Sequence, residues 1–249
     1  MSLELSDICF SRGDFSLSGI SLKIEKESIL GIGGQNGSGK STLLKLIYGF
    51  FRKSRGEILI DGKNIDTLSV REISRKIAVV NQEISEPFNF TAREVVELSG
   101  YSRENAEGTA LGAMETCGIS HLAQRQFSEL SGGEKRLVII AAAVFQDAEL
   151  ILMDEPTAFL DVDKEMKVIE IIRKLKNDGK TLVLVLHDIN LLHRLCDTVT
   201  LLKDGRIISS GQKEQVLTVD NLQKAYSVKF RILEDGGPYR FAPADNAYL

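Results

Sequence analysis

Cysteine is scarce in this chain: the three that occur, Cys9, Cys117 and Cys196, lie far apart and form no C-x-x-C pair. Neither a disulfide framework nor a thiolate zinc site is expected, and buried free thiols in a reducing compartment are. Long apolar runs are also missing. The longest, "LVIIAAAVF" from Leu137 to Phe145, is about half of what a membrane span needs, so the chain is not expected to cross a membrane by itself. The opening "MSLELSDICF" carries Glu4 and Asp7 where a secretory signal would place positive charge before a long apolar stretch, and no such leader is expected. Positive charge is not in surplus. Lys and Arg number 31 against 35 Asp and Glu, a formal net charge of −4, which argues against general nucleic-acid affinity while leaving room for a local basic groove. Internal repeats and low-complexity tracts do not occur.

What is present suits a soluble globular protein. With 249 residues, 43% of them hydrophobic and 27% charged, the chain can bury a full core as one large domain or one domain with an inserted lobe. "LELSDICF" and "SGISLKI" alternate or nearly alternate in apolar residues, and "SILGIGG" reads as a short buried strand ending in glycines. "KSTLLKLIYGF" then places Leu43, Leu44, Ile47 and Phe50 or Phe51 at helical spacing. "EILIDGKNI" and "VTLLKDGRIISSG" carry Asp-Gly between apolar stretches, the hairpin signal. From about Ile84 to Asp147 helical patterns take over in "TAREVVELSGY", "ENAEGTALGAMETCG" (closing at Gly118) and "GGEKRLVIIAAAVFQ". The core pattern resumes with the strand "ELILMDE", an amphipathic helix whose apolar face is Met166, Ile169, Ile172 and Leu175 before Gly179, and "TLVLVLHD", a strand apolar on both faces. Strands alternating with helices predict an α/β core interrupted by a mostly helical insert. A short helix "NLQKAYSV", a strand "KFRIL" and a polar turn "EDGGP" are expected towards the end.

Three stretches carry chemistry. "GQNGSGKS", comprising Gly34, Gln35, Asn36, Gly37, Ser38, Gly39, Lys40 and Ser41, fits G-x-x-x-x-G-K-[ST] between a strand and a helix. Its glycines let backbone N–H groups face a phosphate, the helix N-terminus adds its dipole, Lys40 reaches the β- and γ-phosphates, and the Ser41 hydroxyl is placed to ligate Mg²⁺. "ILMDEP" ends a buried strand in two carboxylates, with Asp154 suited to a metal's hydration shell and Glu155 to orienting and deprotonating an attacking water. "LSGGE" opens an apolar helix at which Ser131 can cap while Gly132 and Gly133 leave N–H groups uncovered, a second anion site. Two anion-binding helix starts accompany one carboxylate pair.

In this order and spacing the three stretches resemble the nucleotide-binding subunit of an ABC transporter. "GGQNGSGKST", through Thr42, resembles its Walker A motif, "LSGGE" its signature motif and "LILMDEP" its Walker B strand; Gln82 resembles the Q-loop glutamine, "AFLD" with Asp161 the D-loop, and His187 the switch histidine. The likeness covers nearly the whole chain. It implies a P-loop NTPase (RecA-like) α/β core with an antiparallel β subdomain and an inserted α-helical subdomain. Residues 1–83 and 148–212 would form the core, 84–147 the helical part and 213–249 a C-terminal extension. It also accounts for the two anion sites: two copies pack head to tail, so the loop of one and the signature residues Ser131, Gly132, Gly133 and Glu134 of the other clamp one ATP. Implied ligands are ATP and Mg²⁺, the latter through Ser41, Gln82 and Asp154; implied catalytic residues are Lys40, Gln82, Glu155 and His187.

A narrower likeness lies in "ISRKIAVVNQE", "FNFTAREVVELSGY", "HDINLLHRLCDTVTLLKDGRIISSGQ" and "EQVLTVDNLQKAYSV". These segments resemble the ATPases of importers for ferric siderophores, haem and cobalamin, a style shared by the close molybdate and tungstate importers. The likeness implies a metal chelate or oxyanion as cargo, a polytopic permease, indirectly a substrate-binding protein, and a peripheral position on the cytoplasmic face of the membrane. Where those relatives have a longer basic segment, this chain has "SGYSREN". Arg12 aligns with the aromatic residue that stacks on adenine, so its planar guanidinium is expected to stack there instead. Leu137 and Ala142 stand where the family has arginines. The competing readings are a soluble ABC ATPase serving a cytosolic assembly such as iron–sulfur cluster biogenesis, and an ATPase acting on nucleic acid or ribosomes, which the acidic balance disfavours.

Overall fold

The alternating N-terminal segments fold as two antiparallel strands, β1 (Leu3–Arg12) and β2 (Phe15–Ile24), in the computed structural model, which describes residues 1–82, 90–102, 108–233 and 241–248. The imperfect alternation of β1 has a cause. Leu3 and Leu5 are buried, as are Ile8 and Phe10, and a register shift between the pairs, with Asp7 at φ 48°, returns the second pair to the same face. Buried throughout, β3 (Ile29–Gly34) leads into α1 (Lys40–Ile47). The apolar stripe expected to run on to Phe50 stops earlier, because Gly49 turns left-handed (φ 75°) and Phe50 is 65% exposed, while Phe51 stacks on Phe10 at 5.1 Å. Asp61 and Gly62, both at positive φ, join β4 (Arg55–Ile60) to β5 (Lys63–Asn64) as a two-residue hairpin, giving the sheet β2-β1-β4-β5.

The chain divides into two compact units, Met1–Thr67 with Val183–Leu249, and Leu68–Leu182. The second contains α2 (Val70–Lys76), β6 (Ile77–Val80), α3 (Ala92–Leu98), α4 (Ala110–Thr116), α5 (Gly132–Gln146), β7 (Leu150–Asp154) and α6 (Val162–Asn177). Reciprocal Ser or Thr to Glu capping boxes start α2, α3 and α5. α4 is shorter than expected: Gly108 is left-handed (φ 99°) and Thr109 caps the helix, so it begins at Ala110; residues 104–107 lie outside the described residues. Its end matches expectation. The Gly118 N–H donates to Glu115 O and the Ile119 N–H to Met114 O, both at 2.9 Å, a Schellman closure. α6 buries Val168, Ile169, Ile171, Ile172 and Leu175, but Met166, expected on that face, is 43% exposed. β6 and β7 pair in parallel, Ile77 opposite Leu150.

The chain returns to the first unit through β8 (Thr181–Val185), followed by α7 (Ile189–Leu195), β9 (Thr198–Lys203), β10 (Arg206–Gln212), α8 (Lys213–Val216), α9 (Val219–Tyr226), β11 (Val228–Ile232) and β12 (Phe241–Tyr248). Its second sheet runs β10-β9-β3-β8, with β3 and β9 parallel and the β9–β10 hairpin turned by Asp204 and Gly205 at positive φ. Continuous burial of β3, β7 and β8 is what parallel strands covered on both faces require. The expected turn at "EDGGP" lies outside the described residues.

Candidate functional site

The first unit holds the glycine loop. Gly34 (φ 141°), Gly37 (φ 77°) and Gly39 (φ 106°) take conformations that L side chains rarely adopt. Two of them also lack space, since a Cβ on Gly34 would lie 2.1 Å from Leu202 O and one on Gly39 2.6 Å from Leu17 Cδ2. Gly39 caps α1 without a side-chain hydrogen bond. The first-turn N–H groups of α1 have no partner within the helix, so the helix start is built from backbone dipole alone. Lys40 is 5% exposed, and its Nζ donates to Gly34 O and Gln35 O, both at 2.9 Å. The loop thus holds its own cation on two of its carbonyls. Ser38 Oγ is buried and makes no hydrogen bond, a polar atom for which an oxyanion is a fitting partner. Asn36 and Gln35 are exposed, and Ser41 and Thr42 are half-buried in the first turn.

Other residues of the first unit fall around this frame. His187 is exposed in the link from β8 to α7, next to Asp188, whose carboxylate caps α7 by accepting from the N–H of Asn190 (2.7 Å) and Leu191 (3.3 Å). Arg12 ends β1 and is exposed, with its guanidinium over the Phe51 ring, 5.3 Å from the centroid. Phe15 reaches the loop itself, its Cζ 2.8 Å from where a Cβ of Gly39 would be.

The second unit brings the expected carboxylates and glutamine together. Asp154 ends β7 at 6% exposure; Glu155 follows in a left-handed conformation (φ 50°), half-buried. A non-glycine residue held there is strained, and such strain gathers at functional sites. Gln82 Nε2 donates to Glu155 Oε2 at 2.9 Å. Arg136, which the sequence did not single out, completes this arrangement: at 5% exposure it donates from Nη1 to Asn81 O (2.5 Å) and from Nη2 to Gln82 O (2.7 Å). Burial draws its guanidinium below the usual range, while the charges of Asp154 and Glu155 act the other way. The only sequence signal for it was a charged residue on an otherwise apolar helix face. No group of three or more His, Cys, Asp or Glu among the described residues could hold a metal alone.

The signature residues start α5. The Ser131 hydroxyl accepts from the Glu134 N–H (3.3 Å), and Glu134 Oε2 accepts from the Ser131 N–H (2.8 Å), holding the Glu134 carboxyl below its ordinary value. Ser131 and Gly132 are exposed. Gly133 faces Lys164: a Cβ there would be 2.2 Å from Lys164 Cδ. Lys164 in turn bonds the α6 cap Asp161 (Nζ to Oδ2, 2.8 Å), whose carboxyl is held low chiefly by that contact. Lys164 thus lies against Gly133 and pairs with Asp161.

A protein-family model described as ABC transporter matches residues 17–158. The cobalamin import ATP-binding protein BtuD of Halobacterium salinarum is 34% identical over 226 residues, 88% of this chain and 57% of that protein. The hemin import ATP-binding protein HmuV of Bordetella pertussis is 32% identical over 248 residues, 94% of this chain and 95% of that one. This chain thus spans little more than half of the first relative and nearly all of the second. Among solved structures, a chain of an inward-facing ABC transporter described as of metal-chelate type is matched at TM-score 0.82 and 27% identity, over 98% of both chains. An ATP-binding cassette solved as a dimer in a post-hydrolysis state with ADP and phosphate is matched at TM-score 0.76 and 30% identity, over 85% of this chain and 98% of that one. These likenesses bear out the expected α/β fold of a P-loop NTPase.

Proposed function

This chain belongs to the ABC transporter family, and from that premise we propose that it is an ATP-hydrolysing subunit that powers import of a metal chelate through a polytopic membrane permease. The observation that carries this reading is the Gln82–Glu155 hydrogen bond beside the buried Asp154, a base and its orienting amide already in contact. Lys40 exchanges the loop carbonyls for the β- and γ-phosphates of ATP, and the Ser38 hydroxyl and the N–H groups of the first turn of α1, including that of Thr42, donate to the remaining phosphate oxygens. Mg²⁺, when bound, neutralises charge on those phosphates. Ser41 of the first unit and Gln82 and Asp154 of the second each carry an oxygen of the kind this hard cation prefers.

Two copies are proposed to close head to tail on ATP. Ser131, whose hydroxyl accepts from the Glu134 N–H and is hydrogen-bonded to the Glu134 carboxylate, would turn its O–H from that carboxylate to a γ-phosphate held by the second copy, with Gly132, Gly133 and Glu134 shaping that helix start. The exposed Phe159 and Val162 beside Asp161 give the copies an apolar surface to bury. His187, exposed ahead of α7, is assigned the contact to the γ-phosphate that the family's switch histidine would make. Arg12 packs a planar guanidinium on Phe51 and offers its other face to adenine. The division proposed from the sequence, a core of 1–83 and 148–212 with a helical part at 84–147, assigns these roles without assigning one to 213–249.

Support for the permease comes from α2 and the start of the helical part. Val70 (81% exposed), Leu98 and Tyr101 (86%) are apolar and uncovered, with Arg71 stacked on the Tyr101 ring at 6.0 Å, a surface for a short helix of a membrane protein. No helix among the described residues is long and apolar enough to cross a membrane, so a peripheral place on the cytoplasmic face requires that partner. Cobalamin and hemin, named in the relatives, are both metal chelates, which supports the cargo class and, with the permease, an indirect link to a substrate-binding protein. Glu155→Gln is the test: ATP binding persists, an ATP-dependent dimer accumulates by light scattering, and turnover falls at least about a hundredfold. Parental turnover in that variant removes Glu155 as the base. Co-purification with soluble scaffold proteins and no membrane partner would sink the importer reading.

A further inference from the structure

The C-terminal residues have no part in the chemistry described so far, yet α9 ends against the phosphate loop. The Gly34 N–H donates to the Tyr226 hydroxyl at 3.0 Å, and Gln35 Nε2 donates to the Tyr226 main-chain oxygen. A Cβ on Gly33 would lie 3.0 Å from the same hydroxyl, so Tyr226 meets three consecutive residues at the strand-to-loop junction. Its own position is well fixed. Leu222 and Ala225 of α9 are buried, Phe230 packs edge-on to the Tyr226 ring (5.9 Å, 72°), and Lys203 Nζ donates to Ser227 Oγ at 2.8 Å where the chain turns left-handed. Burial, aided by the charge of Asp188, pushes the hydroxyl up to about 12, so it stays a neutral partner for Gly34 at any physiological pH.

The geometry points to Tyr226 as a positioning residue for the nucleotide site: its hydroxyl and main-chain oxygen hold Gly34 and Gln35 so that the phosphate cradle is formed before nucleotide arrives. It touches no phosphate. Its contribution is to lower the ordering cost that binding would otherwise carry, which raises affinity without changing the chemical step. This inference rests on the ATP-binding reading of the loop and adds to it a function for residues 213–227.

The experiment uses the full chain with Tyr226→Phe, which removes only the hydroxyl. The expected result is about five- to tenfold weaker binding of both Mg-ATP and Mg-ADP, the size set by one lost hydrogen bond, with turnover at saturating ATP within about twofold of the parent. Hydrogen exchange at the Gly34 amide should accelerate in the nucleotide-free variant while α9 keeps its protection. Phe230→Ala serves as a second variant that loosens α9 packing and leaves the hydroxyl in place. Parental nucleotide affinity in Tyr226→Phe, or an equal loss in Phe230→Ala, overturns the inference. If the parent itself does not bind ATP, the proposed function fails separately, and exchange at Gly34 still decides whether Tyr226 holds the loop.

Discussion

Two helix starts in this protein are proposed to meet phosphate, and they are finished in opposite ways. α1 begins at a left-handed glycine with no side-chain cap, and the buried Lys40 is folded back onto loop carbonyls. α5 begins with a closed capping box, Ser131 and Glu134 satisfying each other's N–H groups. A helix start without its own cap costs stability until a ligand arrives, so α1 suits a site that binds tightly by itself. A self-capped start is stable without ligand and offers only what remains exposed, here Ser131 and Gly132, with the Ser131 hydroxyl already bonded to the Glu134 carboxylate. α5 therefore suits a contact made late and given up easily, as a dimer closing on nucleotide and reopening after hydrolysis needs.

The sharpest way to break this contrast is Lys40→Ala. Removing the cation of the uncapped start should abolish measurable ATP binding and lower turnover by about a hundredfold or more, whereas the α5 start is untouched. An ATPase assay with equilibrium nucleotide binding checks it. Retained binding would mean that the backbone of α1 suffices.

A smaller effect is expected along α5. Arg136 joins this helix to the Gln82 backbone, and Gln82 reaches Glu155, so Arg136→Met should lower kcat about tenfold with little change in KM, because the base loses its alignment and not its ligand. Arg136→Lys, which keeps the charge and one donor, should recover part of it. Steady-state kinetics separate the two terms; a raised KM alone would place Arg136 in nucleotide binding instead.

The smallest effect concerns the cap itself. The folded-state carboxyl of Glu134 lies below its ordinary 4.5, so its stabilisation is complete above that value and is lost as pH falls through the folded value. Glu134→Gln should therefore melt about 2 °C below the parent at pH 7, and the gap should close as pH falls through the folded value of Glu134, where the parent carboxyl becomes protonated as well. Calorimetry across that range checks it. A gap that persists once the parent carboxyl is protonated would show that the effect is not electrostatic.

Much of this was legible along the chain because the governing interactions are local. The Asp-Gly hairpins, the Gly118 and Gly179 helix stops and the apolar strands β7 and β8 follow from neighbours a few residues apart. The boxes at Ser69–Glu72 and Thr91–Glu94 carry the same S/T-x-x-E signature as Ser131–Glu134 and were readable in the same way. Misreadings arose where a local pattern ran past a steric stop. Phe50 continues the helical spacing of α1, but Gly49 ends the helix first; Met166 fits the periodicity of α6, yet it lies in the first turns, before the helix reaches the core.

By itself, then, the amino-acid order determined the motifs, the secondary structure and the family, because each is written in residues close together and in the order of those segments. Tertiary structure decided which residues support them. Gln82 meets Glu155 across 73 residues, Arg136 holds Gln82 across 54, and Tyr226 holds Gly34 across 192. No periodicity links such positions. Their partners are chosen by how the sheets and helices pack, and a buried donor or acceptor must find whichever partner that packing brings within reach.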